Sequence, residues 1–298
     1  MNICNIPKII HHIAPLDKSN WHHFWFACYD SWKNKFPSDY KFLLWNDQKD
    51  LDFLVKQHYP RYWNLYQAFP VHIMKIDFAR MCILHKYGGI YADMDVFCYK
   101  NFENYLKKDI YFLENLTCEY TDARWENSMM SSIPNHTLWE LLMKYTQTCF
   151  IHYRNSFNKH PVNWRNTGND KIVNNTTGSG MISEAIKHYA KYFDVGVFEC
   201  ELFNNRPMSY SDLFYTKHVH TSIWGSEYTK SQLDRLLLIN GCAYATGELH
   251  DETVEMLKDK FYQIVMNENF DFYTDYTNGV YLKTDNLDQI KTIVACKH

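Results

Sequence analysis

The stretch Tyr87-Gly88-Gly89-Ile90-Tyr91-Ala92-Asp93-Met94-Asp95 carries the densest chemistry in the chain. Carboxylates at i and i+2 point to one side of an extended segment. Held that close they repel, unless a cation or protons offset them. Magnesium and manganese prefer carboxylate oxygen and keep positions open for phosphate. A solvated turn with two aspartates is the other reading of the same triplet. Asp77 and Arg80 stand earlier, at a three-residue spacing that shares a helix face. They are either a surface ion pair or a carboxylate for sugar hydroxyls, held by an arginine that also faces phosphate.

Two later clusters have the same double character. Gly178-Ser179-Gly180 opens a helix pattern. Glycines let a ligand approach the backbone, and a helix N-terminus offers free N–H groups. An ordinary loop-to-helix turn uses the same residues. In His218-Val219-His220-Thr221-Ser222-Ile223-Trp224 the histidines alternate like one face of a strand. Histidine can complete a carboxylate-bound metal site, and the Trp224 indole N–H can donate to a phosphate oxygen. A half-buried strand accounts for them equally.

These residues need elements to position them. Ile6 to Ile13 reads as a buried strand entered through Pro7, and Tyr40 to Trp45 as a second strand ending at Asn46-Asp47. Aromatic spacing over 20–35 predicts a helix, as does the pattern from Asp50 to Tyr59. Val71–Tyr87 is a helix with Gly88-Gly89 as its stop. Ile90 to Val96 reads as a strand running into the carboxylates. Strand Ile110–Leu113, helix Thr137–His152, helix Met181–Lys191 and strand Val195–Cys200 follow. Alternation of strands and helices predicts an α/β sheet domain. Beyond about residue 230 the pattern changes. Leu236–Ile239, Phe270–Thr274 and Val280–Lys283 read as strands, the last two around Asn278-Gly279, and Glu252–Val265 and Leu287–Val294 as helices. The expected division is a catalytic domain over 1–230 and a small α+β appendix over 231–298.

Composition narrows the function classes. The chain has 298 residues, 46% hydrophobic and 22% charged, with a net charge of −3. That excludes a disordered chain and gives no basic footprint for nucleic acid. Nine scattered cysteines form no CxxC pair, which argues against a zinc ribbon and for a reduced, cytoplasmic chain. No signal peptide or membrane-length apolar run is visible.

The order of the pieces resembles glycosyltransferase family 32, the DxD sugar-binding group. That group includes yeast-type mannosyltransferases, capsule and lipopolysaccharide transferases, and relatives of clostridial glucosylating toxins. The resemblance is carried by Ile6-Pro7-Lys8-Ile9-Ile10-His11, Ser31-Trp32, Pro37 to Trp45 with Asp47, Asp77-Phe78-Ala79-Arg80, and Tyr87 to Val96. Thr177-Gly178 and His218 to Trp224 match more loosely, and 231–298 find no counterpart.

The resemblance implies a GT-A fold and a retaining transfer from a UDP- or GDP-hexose, with Mn2+ or Mg2+, to a glycan or glycolipid acceptor, as in polysaccharide biosynthesis. It implies catalytic roles for Asp77, Arg80, Asp93 and Asp95. Donor contacts would come from those residues and from His11, Ile13, Trp45, Tyr91, Gly178, Ser179, Gly180, Ser222 and Trp224. Asp93, Asp95 and His220 would hold the metal. Ala14 departs from the pattern, since family members often stack an aromatic residue there on the nucleobase; Trp45 or a tyrosine would have to substitute. The expected location is cytoplasmic, with peripheral contact at the inner face of a membrane. A toxin-like protein glycosyltransferase and a non-catalytic nucleotide-sugar binder are the competing readings.

Overall fold

The computed structural model describes residues 5–21, 23–115, 124–157, 169–204 and 214–218, and the backbone of four short strands beyond them. In chain order the elements begin β1 (Ile9–Ala14), α1 (His23–Lys35), β2 (Lys41–Asn46), α2 (Lys49–His58), α3 (Trp63–Ala68), α4 (His72–Tyr87), β3 (Gly89–Ala92) and β4 (Val96–Cys98). They continue with β5 (Ile110–Glu114), β6 (Trp125–Ser132), α5 (Thr137–Phe157), α6 (Asn169–Thr176), α7 (Ser179–Tyr189), β7 (Val195–Phe198), α8 (Cys200–Phe203) and β8 (Thr216–His218). Last come β9 (Leu237–Ile239), β10 (Cys242–Tyr244), β11 (Asp271–Asp275) and β12 (Gly279–Lys283).

The chain divides into two units. One holds Met1–Asn20, Phe36–Met94 and Phe102–Cys200; the other holds Trp21–Lys35, Asp95–Asn101 and Glu201–His298.

The first unit is built on a six-stranded mixed sheet of order β2-β1-β3-β6-β5-β7. β1 runs parallel to β2 and β3, and β5 parallel to β7, while β6 is antiparallel to both β3 and β5. This is the α/β arrangement expected of a GT-A domain. β1 lies inside the sheet between β2 and β3, and five of its six residues are buried, as a strand covered on both faces requires. The parallel steps are made by crossovers through helices. One of these helices, α4, buries every residue from Asp77 to Leu84, so its two charged residues are forced to find partners inside.

α4 ends where the sequence predicts. The Gly88 N–H donates to the Leu84 carbonyl at 2.9 Å, and Gly88 and Gly89 have φ of 63° and 93°. A Cβ on Gly89 would collide with the Ile9 carbonyl oxygen of the neighbouring strand. Gly89→Ala is therefore expected to destabilise the protein by more than about 1 kcal/mol. A thermal or urea midpoint equal to that of the unmodified protein would show that β1 and β3 can move apart there.

Two sequence expectations need correction. The strand predicted from Ile90 to Val96 stops at Ala92, turns through Met94 and Asp95, and resumes as β4. The Asp93–Asp95 segment is thus a turn and not extended, so the same-side argument from strand geometry does not apply. β6 was not foreseen at all. Its sequence Trp-Glu-Asn-Ser-Met-Met-Ser-Ser has no alternation, yet all eight residues are buried. Covered faces remove the period-2 signal.

In the second unit α1 packs on β4. The buried Trp32 donates from Nε1 to the Val96 carbonyl at 2.7 Å, and Ser31 Oγ accepts from the Cys98 N–H at 2.9 Å. β4 pairs antiparallel with β8, setting Val96 opposite His218. β9 to β12 form an antiparallel sheet of order β11-β12-β10-β9. β11 and β12 pair from Asp271 opposite Lys283 to Asp275 opposite Gly279, at the turn expected near Asn278-Gly279. The helices expected at Glu252–Val265 and Leu287–Val294 lie outside the described residues.

Candidate functional site

In the first unit a polar network is buried where α4, β3, β6 and the start of α7 meet. Asp77 is its centre, 5% exposed. Asp77 Oδ1 accepts from Asn127 Nδ2 at 2.8 Å and faces Arg80 Nη2 at 3.2 Å. Asp77 Oδ2 accepts from Thr177 Oγ1 at 2.9 Å. That hydroxyl has one proton, and the Val173 carbonyl lies farther, at 3.4 Å, so the carboxylate takes it. A carboxylate has about four acceptor positions. Two hydrogen bonds and the charge of Arg80 hold it, and Oδ2 keeps a lone pair. Burial, the largest influence, pushes the Asp77 carboxyl up from its ordinary value, while Arg80, Thr177 and Asn127 pull it down.

Arg80 is held between two carboxylates. Its guanidinium lies 3.2 Å from Asp77 and 3.4 Å from Asp93, donates to the Asn127 carbonyl at 2.7 Å, and stacks 5.0 Å from the Tyr91 ring centroid. Tyr91 donates its hydroxyl to Asp93 Oδ1 at 2.6 Å. Burial drives that phenol well above its ordinary pKa, so it stays protonated and remains a donor. The i,i+3 pair foreseen in the sequence is therefore a buried pair, only 3% and 6% exposed at the side chains. A surface pair is worth little; here each charge depends on the other and on its hydrogen bonds.

The Gly178–Gly180 turn reaches the same network. Ser179 Oγ donates to Asn127 Oδ1 at 3.3 Å. The Gly180 N–H donates to Asn174 Oδ1 at 3.0 Å, so that amide already has a protein acceptor. Gly178 precedes α7 in extended conformation.

His11, Ile13 and Trp45 are brought together elsewhere on the sheet. Trp45 Nε1 donates to His11 Nδ1 at 3.1 Å, which leaves the proton on Nε2 for the Gly88 carbonyl at 2.9 Å. Trp45 also lies 5.4 Å, centroid to centroid, from Tyr87, and Ile13 is part of the apolar core. Burial lowers the His11 pKa to about 4. An imidazole that stays neutral when folded stabilises fully above its unfolded pKa near 6.5. That stability is lost as pH falls from 6.5 towards 4, at about 1.4 kcal/mol per pH unit. His11→Gln is expected to flatten the fall in melting temperature across that window. Parallel curves for the two proteins would refute the burial argument.

In the second unit, Asp95 is 8% exposed and faces His218, with Nε2 3.2 Å from Asp95 Oδ1. His218 is fixed from behind: its N–H donates to Asn204 Oδ1 at 3.4 Å, and β8 holds it opposite Val96. Thr216, two residues earlier, donates its hydroxyl to the Phe203 carbonyl at 2.7 Å. A carboxylate oxygen beside an imidazole nitrogen is a donor set that manganese-like divalent ions accept. His220, Ser222 and Trp224, expected at this site, lie outside the described residues. Spacing could not choose between His218 and His220, because both fall on one face of a strand. Asn127 escaped the sequence reading because β6 did.

The family model "Glycosyltransferase sugar-binding region containing DXD motif" matches residues 23–113. An uncharacterised glycosyltransferase of Acanthamoeba polyphaga mimivirus is 27% identical over 241 residues, which are 74% of this chain and 84% of that one. Residues 23–113 of the chain thus resemble the sugar-binding region of the DXD glycosyltransferases. The matched segment carries Asp77, Arg80, Tyr91, Asp93 and Asp95. Inositol phosphoceramide mannosyltransferase 1 of Schizosaccharomyces pombe is 28% identical over 133 residues, covering 44% of this chain. The chain spans only 40% of that relative's length. Among solved structures, the PaToxG glycosyltransferase overlays with a TM-score of 0.41 at 15% identity, over 63% of this chain and 70% of that one. Among the described residues, no helix is long and apolar enough to cross a membrane.

Proposed function

We propose that this glycosyltransferase moves a hexose from a UDP- or GDP-sugar to a glycan or glycolipid acceptor, with retention at the anomeric carbon and a divalent metal. The observation that carries the reading is the Asp77 carboxylate: buried, fixed by two hydrogen bonds and an ion pair, with a lone pair left on Oδ2. A fixed acceptor of that kind suits a donor-sugar hydroxyl. Orienting the sugar in this way converts binding energy into a defined angle of attack. Arg80 keeps Asp77 and Asp93 in register, and Tyr91 keeps the Asp93 carboxylate turned.

Asp95 and His218 would hold the cation, and the resemblance to family 32 adds Asp93 as a further carboxylate. When bound, a manganese or magnesium ion supplies the positive charge that offsets the departing nucleoside diphosphate. Glycosyltransferases of the DXD family generally use one. The names of the yeast relatives make mannose the first donor sugar to try, and an inositol phosphoceramide the first glycolipid acceptor. Retention itself rests on the resemblance to family 32.

The test is a panel of UDP- and GDP-hexoses with manganese, read by nucleotide release, with NMR of the product for anomeric configuration. Release from one donor, abolished by chelation and restored by manganese, supports the reading. Binding of nucleotide sugars with no release and no transfer in any combination would leave a binding protein instead.

A further inference from the structure

We infer that Asn127 is a positioning residue of this enzyme: it sets the orientation of Asp77 and ties it to the start of α7. The inference rests on the reading of Asp77 as the donor-sugar acceptor.

Asn127 touches three parts of the network at once. Its Nδ2 donates to Asp77 Oδ1 at 2.8 Å, its Oδ1 accepts from Ser179 at 3.3 Å, and its backbone carbonyl accepts from Arg80 Nη1 at 2.7 Å. The amide cannot be reversed without loss. An ionised carboxylate only accepts, so the nitrogen must face Asp77 and the oxygen must face Ser179. The side chain is 9% exposed and rises from β6, which hydrogen bonds to β3 on one side and β5 on the other. The pairing to β5 shifts register between Glu126 and Met130 and the pairing to β3 starts at Met129, so Asn127 lies in a bulge of β6 flanked by paired residues.

The consequence is geometric. With Asn127 and Arg80 on Oδ1 and Thr177 on Oδ2, the Asp77 carboxylate has one rotation available, and its remaining lone pair has one direction. Without Asn127, Arg80 and Thr177 still supply charge and a proton, yet the carboxylate plane is free to turn. Ser179 would lose its acceptor in the same step, which loosens the first turn of α7 against β6. Asn127 thus acts through Asp77 and needs no contact with the donor.

A double-mutant cycle tests this, using Asn127→Ala, Asp77→Asn and the combination, read as kcat/KM for the donor and as melting temperature. Asn127→Ala is expected to lower kcat/KM about 10–100-fold, the loss of one hydrogen bond to a charged group, mainly through the donor KM. In the Asp77→Asn background the same change should have little further effect, because its target is gone. Full additivity of the two losses would overturn the positioning role, as would a near-normal kcat/KM for Asn127→Ala. Full activity of Asp77→Asn with every donor would instead sink the sugar-acceptor reading, and the two failures are distinct.

Asn127→Asp gives an independent readout. Asp77 faces Arg80 from its own helix, Asn127 from β6 and Thr177 from the turn before α7, and Arg80 also faces Asp93. Two carboxyls at 2.8 Å share a proton, and that proton replaces the amide N–H. The variant should keep activity at acid pH and lose it as pH rises, with a limb that shifts relative to the profile of the unmodified protein measured beside it. A purely structural residue would change the melting temperature without creating that limb, and a folded variant with a flat profile would overturn the proposal. If this variant fails to fold, the cycle alone decides.

Discussion

Asp95→Ala is expected to lower sugar transfer by about 10²–10³-fold while leaving the fold in place. The magnitude is that of a single electrostatic group removed from a site where charge develops in the transition state. The fold survives because Asp95 sits in a turn between β3 and β4, outside the core ladder. It lies 3.2 Å from His218, and β8 pairs with β4 through backbone bonds that do not involve its side chain. The measurement is nucleotide release at saturating donor over a manganese titration, beside a melting curve. The variant should bind manganese more weakly and show a melting temperature within a few degrees of the unmodified protein. Near-normal turnover in chelator-treated buffer would remove Asp95 from the chemistry. His218→Ala should follow in direction, and a normal manganese response in that variant would leave the imidazole as a packing partner only.

Asp77→Asn is expected to cost at least about 10²-fold in kcat/KM for the donor with no loss of stability. The amide keeps the shape, and its oxygen can still accept from Asn127 and Arg80. The carboxylate that a sugar hydroxyl would meet is gone. Stability is expected to shift in the variant's favour as pH rises, and the sign follows from burial. The folded-state pKa of Asp77 is raised, so its stabilising contribution is complete below the ordinary carboxylate range. It is lost as pH rises through the folded pKa. Asparagine has no such loss. The difference in melting temperature, variant minus unmodified, should therefore be larger at neutral pH than near pH 4. Asp77→Ala is the contrasting case, since it removes one of the two carboxylates that face the buried Arg80. Breaking a buried pair in this way costs about 3–5 kcal/mol. An Asp77→Asn enzyme active with every donor would return the pair to a structural role.

Much of this molecule is legible before folding. The helix over 72–87 and its glycine stop follow from three- and four-residue apolar spacing and from Gly88-Gly89, because positive φ is cheap only at glycine. Asp77, Arg80, Asp93 and Asp95 were singled out by type and spacing alone. The α/β class came from alternating patterns, and the family resemblance from the order of short motifs across roughly the first hundred residues.

What only the tertiary structure decided is who partners whom. Spacing showed that Asp77 and Arg80 share a face of α4, but burial of that face makes the pair indispensable to its neighbours. The Asp93–Asp95 segment turns where the local pattern reads as strand, so Asp93 goes to Arg80 and Tyr91, and Asp95 to His218. Asn127, about fifty positions from both Asp77 and Ser179, joins them through a strand whose residues are buried on both faces and so carry no period in the sequence. His11 and Trp45 satisfy each other across β1 and β2. Local periodicity reports which face of an element is apolar; it holds no information about which element will cover it, and buried polar groups take their partners from that choice.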